Sequence, residues 1–526
     1  MAHTRWLLVL AGLLAAGLAF GGAEQEGAAA EEERLTITWM GPNNRGTLLP
    51  PDSPTELYLE EYFNVELEPW TDVDLYQSDQ WKTRIASGDI PDYIKSDPIG
   101  SGLHDIGAVR VMSASYLRQH MPNYTKLIDE IAGPYGWQTV TTGGEVVGIP
   151  SVNVAIASGA TFVTRRDWME AVGEPIPDKR MLGSPYSDYS SLEDIERMLR
   201  KFRNEDPDGN GQQDTYGLSV YKNSNTVSFN AGAQWAFPNE FGAHGVRIAS
   251  WQDAGGELGY SMISDGYKEA LAFLHGWYEE EIIDPEFVTD KRSELITKFS
   301  NGIVGAFQAS PAWTGPRPSG PTGTLLKNVP ETELVYFIAY EGPGGRASVN
   351  FNPILGNTSI GANASDAVAE KILAMLDEIH TDMELYGKVA YGDEGTHYHW
   401  DDDGLLVQAP DFGSGEARTN QGWQYFTMWN TITPDISRYR LPRWRTIPHT
   451  IGIDAPKLDN GFVPVWDEEL RGVVSQLREV ESEYFFRAII GQANLTSDWD
   501  AYVDEWPRRG GDRLTEEANR QYQDSM

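Results

Sequence analysis

The sequence predicts an α/β protein with at least two lobes, and three observations predict it. The chain has 526 residues, more than one hydrophobic core sustains, so two or more cores are expected. From residue 34 onward, strand-like and helix-like periodicities alternate, which is the arithmetic of an α/β fold. Hydrophobic residues make up 40%, with 17 Trp, 24 Tyr and 18 Phe, enough for each lobe to bury its own interior.

Taken in order, the chain opens with Arg5 ahead of an apolar run at 7–20 and then small residues Gly21, Gly22 and Ala23. That pattern reads as a secretory signal over 1–23, followed by an acidic, Ala/Glu-rich flexible tether over 24–34. Export to a periplasmic or extracellular location is expected. RLTITWMG at 34–41 alternates as a strand and runs into a polar loop carrying Asn43 and Asn44. A helix at 58–63, a strand at 65–69 and a helix stopped by Gly88 and Pro91 follow, and a short strand then delivers Ser96 and Asp97. Residues 117–135 read as helices broken by Pro122 and Pro134.

A strand over 145–153 ends at Asn153, and one over 160–164 delivers Arg165 and Arg166 to a helix start, where a guanidinium can grip a carboxylate or sugar hydroxyls. Helical spacing over 191–204 has Ser191 as N-cap, with Leu192, Ile195, Leu199 and Phe202 on one face. Trp235 lies in an aromatic, glycine-rich loop. Helices at 267–278 and 293–299, a strand from 301 opening onto Trp313, strands at 334–339 and 354–360, and helices at 365–380, 468–490 and from 515 complete the reading.

The helix at 191–204 ends directly at DPDGNGQQDTYG, residues 206–217. Side-chain oxygens fall on every second residue at Asp206, Asp208, Asn210 and, further on, Asp214, with the Gln212 carbonyl between, which is how a short loop wraps a hard cation such as Ca2+. Gly211 occupies the sixth position of that pattern. The twelfth, where a bidentate Glu belongs, is Gly217. A helix-to-strand setting and the missing Glu point to a structural calcium brace rather than a catalytic metal.

Composition also excludes. A net charge of −37 and a pI near 4.5 repel nucleic acid and anionic membrane surfaces, and zero cysteines remove disulfides, a thiol nucleophile and a cysteine-linked lipid anchor. No phosphate-binding glycine loop, HExxH or nucleophile elbow is present, which argues against an enzyme. Carboxylate pairs such as Glu468 and Glu469 are expected on solvated surface, and His397 with His399 lacks a third ligand at zinc spacing. Exposed aromatic rings beside polar loops, in contrast, suit the C–H faces and hydroxyls of sugars; Trp235, Trp313, Tyr398, Trp400 and Trp423 all sit in such surroundings.

Seven segments in order carry a resemblance: ASGDIPD (86–92), GEVVGIP (144–150), VTRRDWMEAVG (163–173), EDPDGNGQQDTYGL (205–218), YEEEIIDPEF (278–287), GDEGTHYHW (392–400) and DWDAYVDEW (498–506). They resemble extracellular solute-binding proteins of ABC importers, in particular the large oligosaccharide-binding branch with its alginate-binding members. The resemblance implies a two-lobed periplasmic-binding-protein fold with an interlobe cleft and hinge crossovers, lobe one over 35–156 and 304–358, and lobe two over 157–303 and 359–526. It further implies a monomeric, non-catalytic receptor that passes an oligosaccharide to an ABC permease. Its ligand-binding candidates are Asn43, Asn44, Ser96, Asp97, Asn153, Arg165, Trp313, Tyr398 and Trp400, with Trp235 placed by loop position. A secreted, calcium-stabilised polysaccharide lyase or hydrolase is the competing reading.

Overall fold

Among the described residues eleven strands make up two sheets. In chain order they are β1 (Leu35–Met40), β2 (Val65–Pro69), β3 (Tyr93–Ser96), β4 (Ile149–Val152), β5 (Thr161–Arg165), β6 (Arg180–Met181), β7 (Ser184–Ser187), β8 (Tyr216–Ser219), β9 (Val304–Ala309), β10 (Leu334–Phe337) and β11 (Ile354–Ile360). The computed structural model describes residues 34–41, 48–71, 80–96, 101–142, 144–154, 160–187, 190–220, 227–228, 231–232, 236–316, 320–347, 353–428, 431–440, 443–453, 458, 461–464 and 466–525. The expected signal segment, nearly all of the tether, and Asn43, Asn44, Asp97 and Trp235 lie outside them.

The first sheet runs β2-β1-β3-β11-β4 and the second β8-β9-β5-β10-β7-β6. β1 pairs in parallel with β2 and β3, while β11 is antiparallel to both β3 and β4. The second sheet repeats this design, with β5 antiparallel to β9 and β10. In each sheet the reversed central strand is the one that arrives from the other lobe. It enters at the hinge end and runs down, whereas its neighbours run up toward the hinge. β5 is buried at all five positions, as a strand flanked on both sides and covered on both faces must be.

The helices that position the site are α1 (Pro54–Phe63), α2 (Gly133–Gln138), α3 (Leu192–Asn204), α4 (Pro311–Thr314), α5 (Asp366–Thr381), α6 (Pro434–Arg440), α7 (Arg443–Ile453), α8 (Glu468–Ile489), α9 (Trp499–Trp506) and α10 (Asp512–Ser525). α3 begins as its sequence demands: the Ser191 hydroxyl accepts from the Asp194 amide at 3.0 Å, and Leu192, Ile195, Leu199 and Phe202 are buried. No helix among the described residues is long and apolar enough to cross a membrane.

Core membership alternates along the chain. Ile37 and Trp39 belong to one core, Phe162 and Phe307 to the second lobe, Ile372 and Ile436 to the first again, and Ile447 and Phe485 to the second. The chain therefore passes between lobes after Val154, after Ala347 and after Arg440. This corrects the expected division, in which 304–358 was given to lobe one and 359–526 to lobe two. β9 and β10 flank β5 in the second sheet, through Ala306 and Val335 opposite Thr164. β11 and α5 instead complete the first lobe. An apolar strand packs equally well into either sheet, so periodicity did not reveal which one β9 joins. On the first-lobe side, the flanks of the first two crossings lie beside the segment that precedes α6: the Asn153 amide donates to the Pro353 carbonyl at 2.5 Å, the Val154 amide to the Ile432 carbonyl at 2.8 Å, and the Ile432 amide to the Val152 carbonyl at 2.7 Å.

Candidate ligand-binding cleft

In open α/β sheets, ligands are met beyond the carboxyl ends of the parallel strands. Here those ends belong to β1, β3 and β4 in one lobe and β8, β9 and β10 in the other, and both sets lead toward the crossings. Ser96 is the last residue of β3, opposite Asn357 of β11. Asn153 follows β4 where the chain leaves the first lobe, buried, its amide donating to the Pro353 carbonyl and its backbone bridged to Ile432. Trp313 sits on the short helix α4 that starts two residues after β9 ends. That helix is pinned by Thr161 and Thr314, whose hydroxyls are 2.6 Å apart, and by the Tyr336 hydroxyl donating to the Thr314 carbonyl at 3.2 Å. The Trp313 ring is half-buried against the core that α7 completes. Each of these three expected site residues thus lies at or just beyond the hinge-side end of a strand in its own lobe.

The lobes also meet at a cavity of about 200 Å³. Tyr135, from α2 of lobe one, lines it together with Trp251, Tyr260, Phe462, Trp466 and Trp506 of lobe two. Tyr260 stacks on Trp506 at 4.9 Å, and Trp251 lies 6.1 Å from both Trp466 and Trp506. Two charged residues of α8, Arg478 and Glu481, complete the lining. Glu481 is 1% exposed. Its Oε1 accepts from the Trp506 indole at 2.8 Å, while Oε2 has no hydrogen-bond partner among the described residues. Burial pushes its carboxyl up to about 7, with Trp506, the facing Tyr260 hydroxyl and Arg478 acting in the opposite sense. Burial likewise pushes the Tyr135 phenol up to about 12, partly offset by Arg247 across the lobes.

Sequence reasoning missed this cavity because its members are scattered from 135 to 514 and share no motif. The one available signal was Trp506, at the end of the DWDAYVDEW segment.

Other expected residues are placed elsewhere. Arg165 ends β5 at the edge away from the hinge, paired with Asp167 at 2.9 and 2.5 Å and lying over Trp168 at 5.1 Å. Its guanidinium is committed to folding, so Arg165 is corrected from ligand candidate to structural ion pair. Tyr398 and Trp400 join the first lobe's core and line an open groove of about 700 Å³ beside Tyr58, Tyr62 and Tyr439. No described residue of the second lobe lines that groove.

The 206–217 loop leads into the start of β8, the end opposite the cleft edge. Asp206 accepts from the Gly211 amide at 2.9 Å, and the Asn210 side-chain amide donates to Asp208 at 2.9 Å and to Asp214 at 3.2 Å. Burial and the neighbouring Asp214 and Asp206 charges raise the Asp208 carboxyl above its usual range. Carboxylates converging on one donor fit a cation, although among the described residues no group of three or more His, Cys, Asp or Glu side chains is arranged to hold a metal. The twelfth position explains its own glycine. A Cβ on Gly217 would lie 2.7 Å from the Leu199 carbonyl oxygen, so no glutamate fits where the loop docks on α3.

Two α/β lobes joined by three crossings around a cleft are the architecture of an extracytoplasmic solute-binding protein, and the chain resembles those of ABC transporters along its whole length. It is 23% identical to Lipoprotein LipO of Bacillus subtilis (strain 168), over 99% of this chain and 98% of that protein. It is 21% identical to the polygalacturonan/rhamnogalacturonan-binding protein YtcQ of the same organism, over 97% and 96%. It shares its fold with the substrate-binding protein FusA of S. pneumoniae, solved as an EF-hand mutant in complex with fructo-nystose, at a TM-score of 0.61 and 17% identity over 93% of this chain and 100% of that one. No protein-family profile matches the chain.

Proposed function

We propose that this protein is the exported receptor of an ABC importer, capturing an oligosaccharide between its lobes and presenting the closed form to a membrane permease. The observation that carries this reading is the aromatic cavity lined from both lobes across a three-segment hinge. A ligand that touches both lobes favours the closed state by its differential affinity, and that population shift is what a permease can recognise. The named ligands of YtcQ and FusA support a glycan. The receptor acts without chemistry of its own, as a monomer, and leaves the cytoplasm through its N-terminal apolar segment.

Calcium in the 206–217 loop is part of the same proposal, supported by the alternating oxygens of Asp206, Asp208, Asn210 and Asp214, the Gln212 carbonyl and the EF-hand of FusA. The ion would tie α3 to β8 and carry no step of capture.

The test is small-angle scattering of the full chain against a panel of neutral and acidic oligosaccharides, paired with calorimetry. A binding sugar should reduce the radius of gyration, and Trp313→Ala should weaken it by about ten-fold if roughly 1.5 kcal/mol of stacking is lost. New reducing ends or unsaturated products in the same incubations would overturn the receptor reading in favour of an enzyme.

A further inference from the structure

The open groove beside Tyr398 and Trp400 takes no part in capture between the lobes, since no described residue of the second lobe lines it. Its volume of about 700 Å³ falls within the roughly 300–1,000 Å³ of small-molecule sites. α1 contributes Tyr58 and Tyr62, whose ring centroids are 5.8 Å apart. The 398–400 strand and α6 contribute Tyr398, Trp400 and Tyr439, with Trp400 5.1 Å from Tyr439. Tyr62 is 47% exposed, an aromatic ring left in water.

Charge decides what such rings would hold. Asp382, Glu384, Asp393 and Glu394 line the groove against a single ammonium, that of Lys388. Glu384 and Glu394 are exposed, and among the described residues neither carboxylate is paired. Glu378 stands close by, accepting from the Tyr62 hydroxyl at 2.6 Å. These fields converge on the rings: burial, then Glu384, Asp382, Asp393 and Glu378, raise the Tyr58 phenol above its usual value.

An aromatic face attracts a cation, and the chain supplies its own example. The Lys388 ammonium lies 5.2 Å from the centre of the Tyr58 ring and pairs with Asp393. A free amine would repeat that arrangement, an alkylammonium held between a ring face and a carboxylate. Two unpaired carboxylates in one groove call for two positive charges, and the rings beside them call for a hydrocarbon link. A bare metal ion fits less well, because among the described residues no group of three or more His, Cys, Asp or Glu side chains is arranged to hold one.

We propose that this groove is a second, exterior ligand site for an aliphatic diammonium ion, with Glu384 and Glu394 pairing its ammonium groups and the Tyr62 and Trp400 rings covering its methylenes. The site goes beyond the receptor reading and stands without it.

The test is calorimetry on the full chain with cadaverine and its neutral counterpart 1,5-pentanediol, calcium being in excess so that the 206–217 loop is filled. Cadaverine should bind saturably, weaken as salt is added, and leave the radius of gyration unchanged in scattering, while pentanediol should not bind. Glu384→Gln and Glu394→Gln should each weaken cadaverine by about three-fold and together by about ten-fold, and Tyr62→Ala by about three-fold. All three side chains are exposed, so the fold survives their replacement. Asp500→Asn, an exposed carboxylate on α9 in the other lobe, should bind as wild type does. An equal loss in that variant would reduce the effect to the overall charge of −37 and overturn the proposal. Unchanged affinity in the Glu384, Glu394 double variant, saturable binding of pentanediol, or no binding of cadaverine would overturn it as well. Cadaverine that contracts the protein belongs between the lobes, which removes the exterior site and leaves the receptor reading in place.

Discussion

Replacing Glu481 by Gln should change how stability depends on pH. The carboxyl is buried against Trp506 and pushed up to about 7, against 4.5 for the free group. In the folded protein it therefore keeps its proton through a window in which the unfolded chain has released it. Stability rises with pH only where the unfolded state binds more protons, and here it binds fewer, so this group makes stability fall between about pH 4.5 and 7. At pH 7.5 the penalty is roughly 3 kcal/mol, and near pH 4.5 it is about 0.4 kcal/mol. Gln keeps the shape and a carbonyl to accept the Trp506 indole but does not titrate. Urea unfolding followed by tryptophan emission at a series of pH values should show Glu481→Gln gaining on wild type by up to roughly 3 kcal/mol from pH 4.5 to 7.5. A difference between the two proteins that stays constant across that range would refute the reasoning. Glu240, fully buried, bonded to Gln308 at 2.5 Å and likewise pushed up to about 7, should behave the same way on substitution by Gln.

Three further outcomes are expected. Lys298 reaches Asp284 at 2.6 Å and Asp290 at 2.7 Å, both carboxylates being almost fully buried, so Lys298→Met should cost roughly 3–5 kcal/mol by thermal or urea unfolding. Gly217→Ala drives a Cβ into the Leu199 carbonyl and should destabilise by about 1–3 kcal/mol, with sugar affinity unchanged by calorimetry. Calcium should raise the melting temperature and a chelator should lower it, while the affinity for a bound glycan changes little; lost affinity in a protein that stays folded would move the loop's role into the cleft.

The division between sequence and tertiary structure follows from the range of the interactions concerned. Local physics was legible. The strand at Val65–Pro69, the helix capped by Ser191 and the strand at Ile354–Ile360 stand where periodicity and capping placed them, because each depends on neighbours a few residues away. The 206–217 loop was legible for the same reason, although its glycine at the twelfth position became intelligible only once Leu199 was seen behind it. Trp313 and Asn153 follow strand ends on the hinge side of their sheets, as the motifs that end at strand termini led one to expect, and their contact with a ligand stays a proposal. Arg165 came from the same reasoning and was misplaced, because its strand runs opposite to its neighbours and delivers it to the far edge.

Only the tertiary structure decided which lobe owns β9, β10 and β11, since pairing is a choice among similar apolar strands settled by where the chain crosses. Only it brought Tyr135, Trp251, Trp466, Arg478, Glu481 and Trp506 to one cavity, across more than 300 residues. Their proximity comes from packing α8 and α9 against the second lobe and closing the first upon it, which no spacing within the sequence encodes.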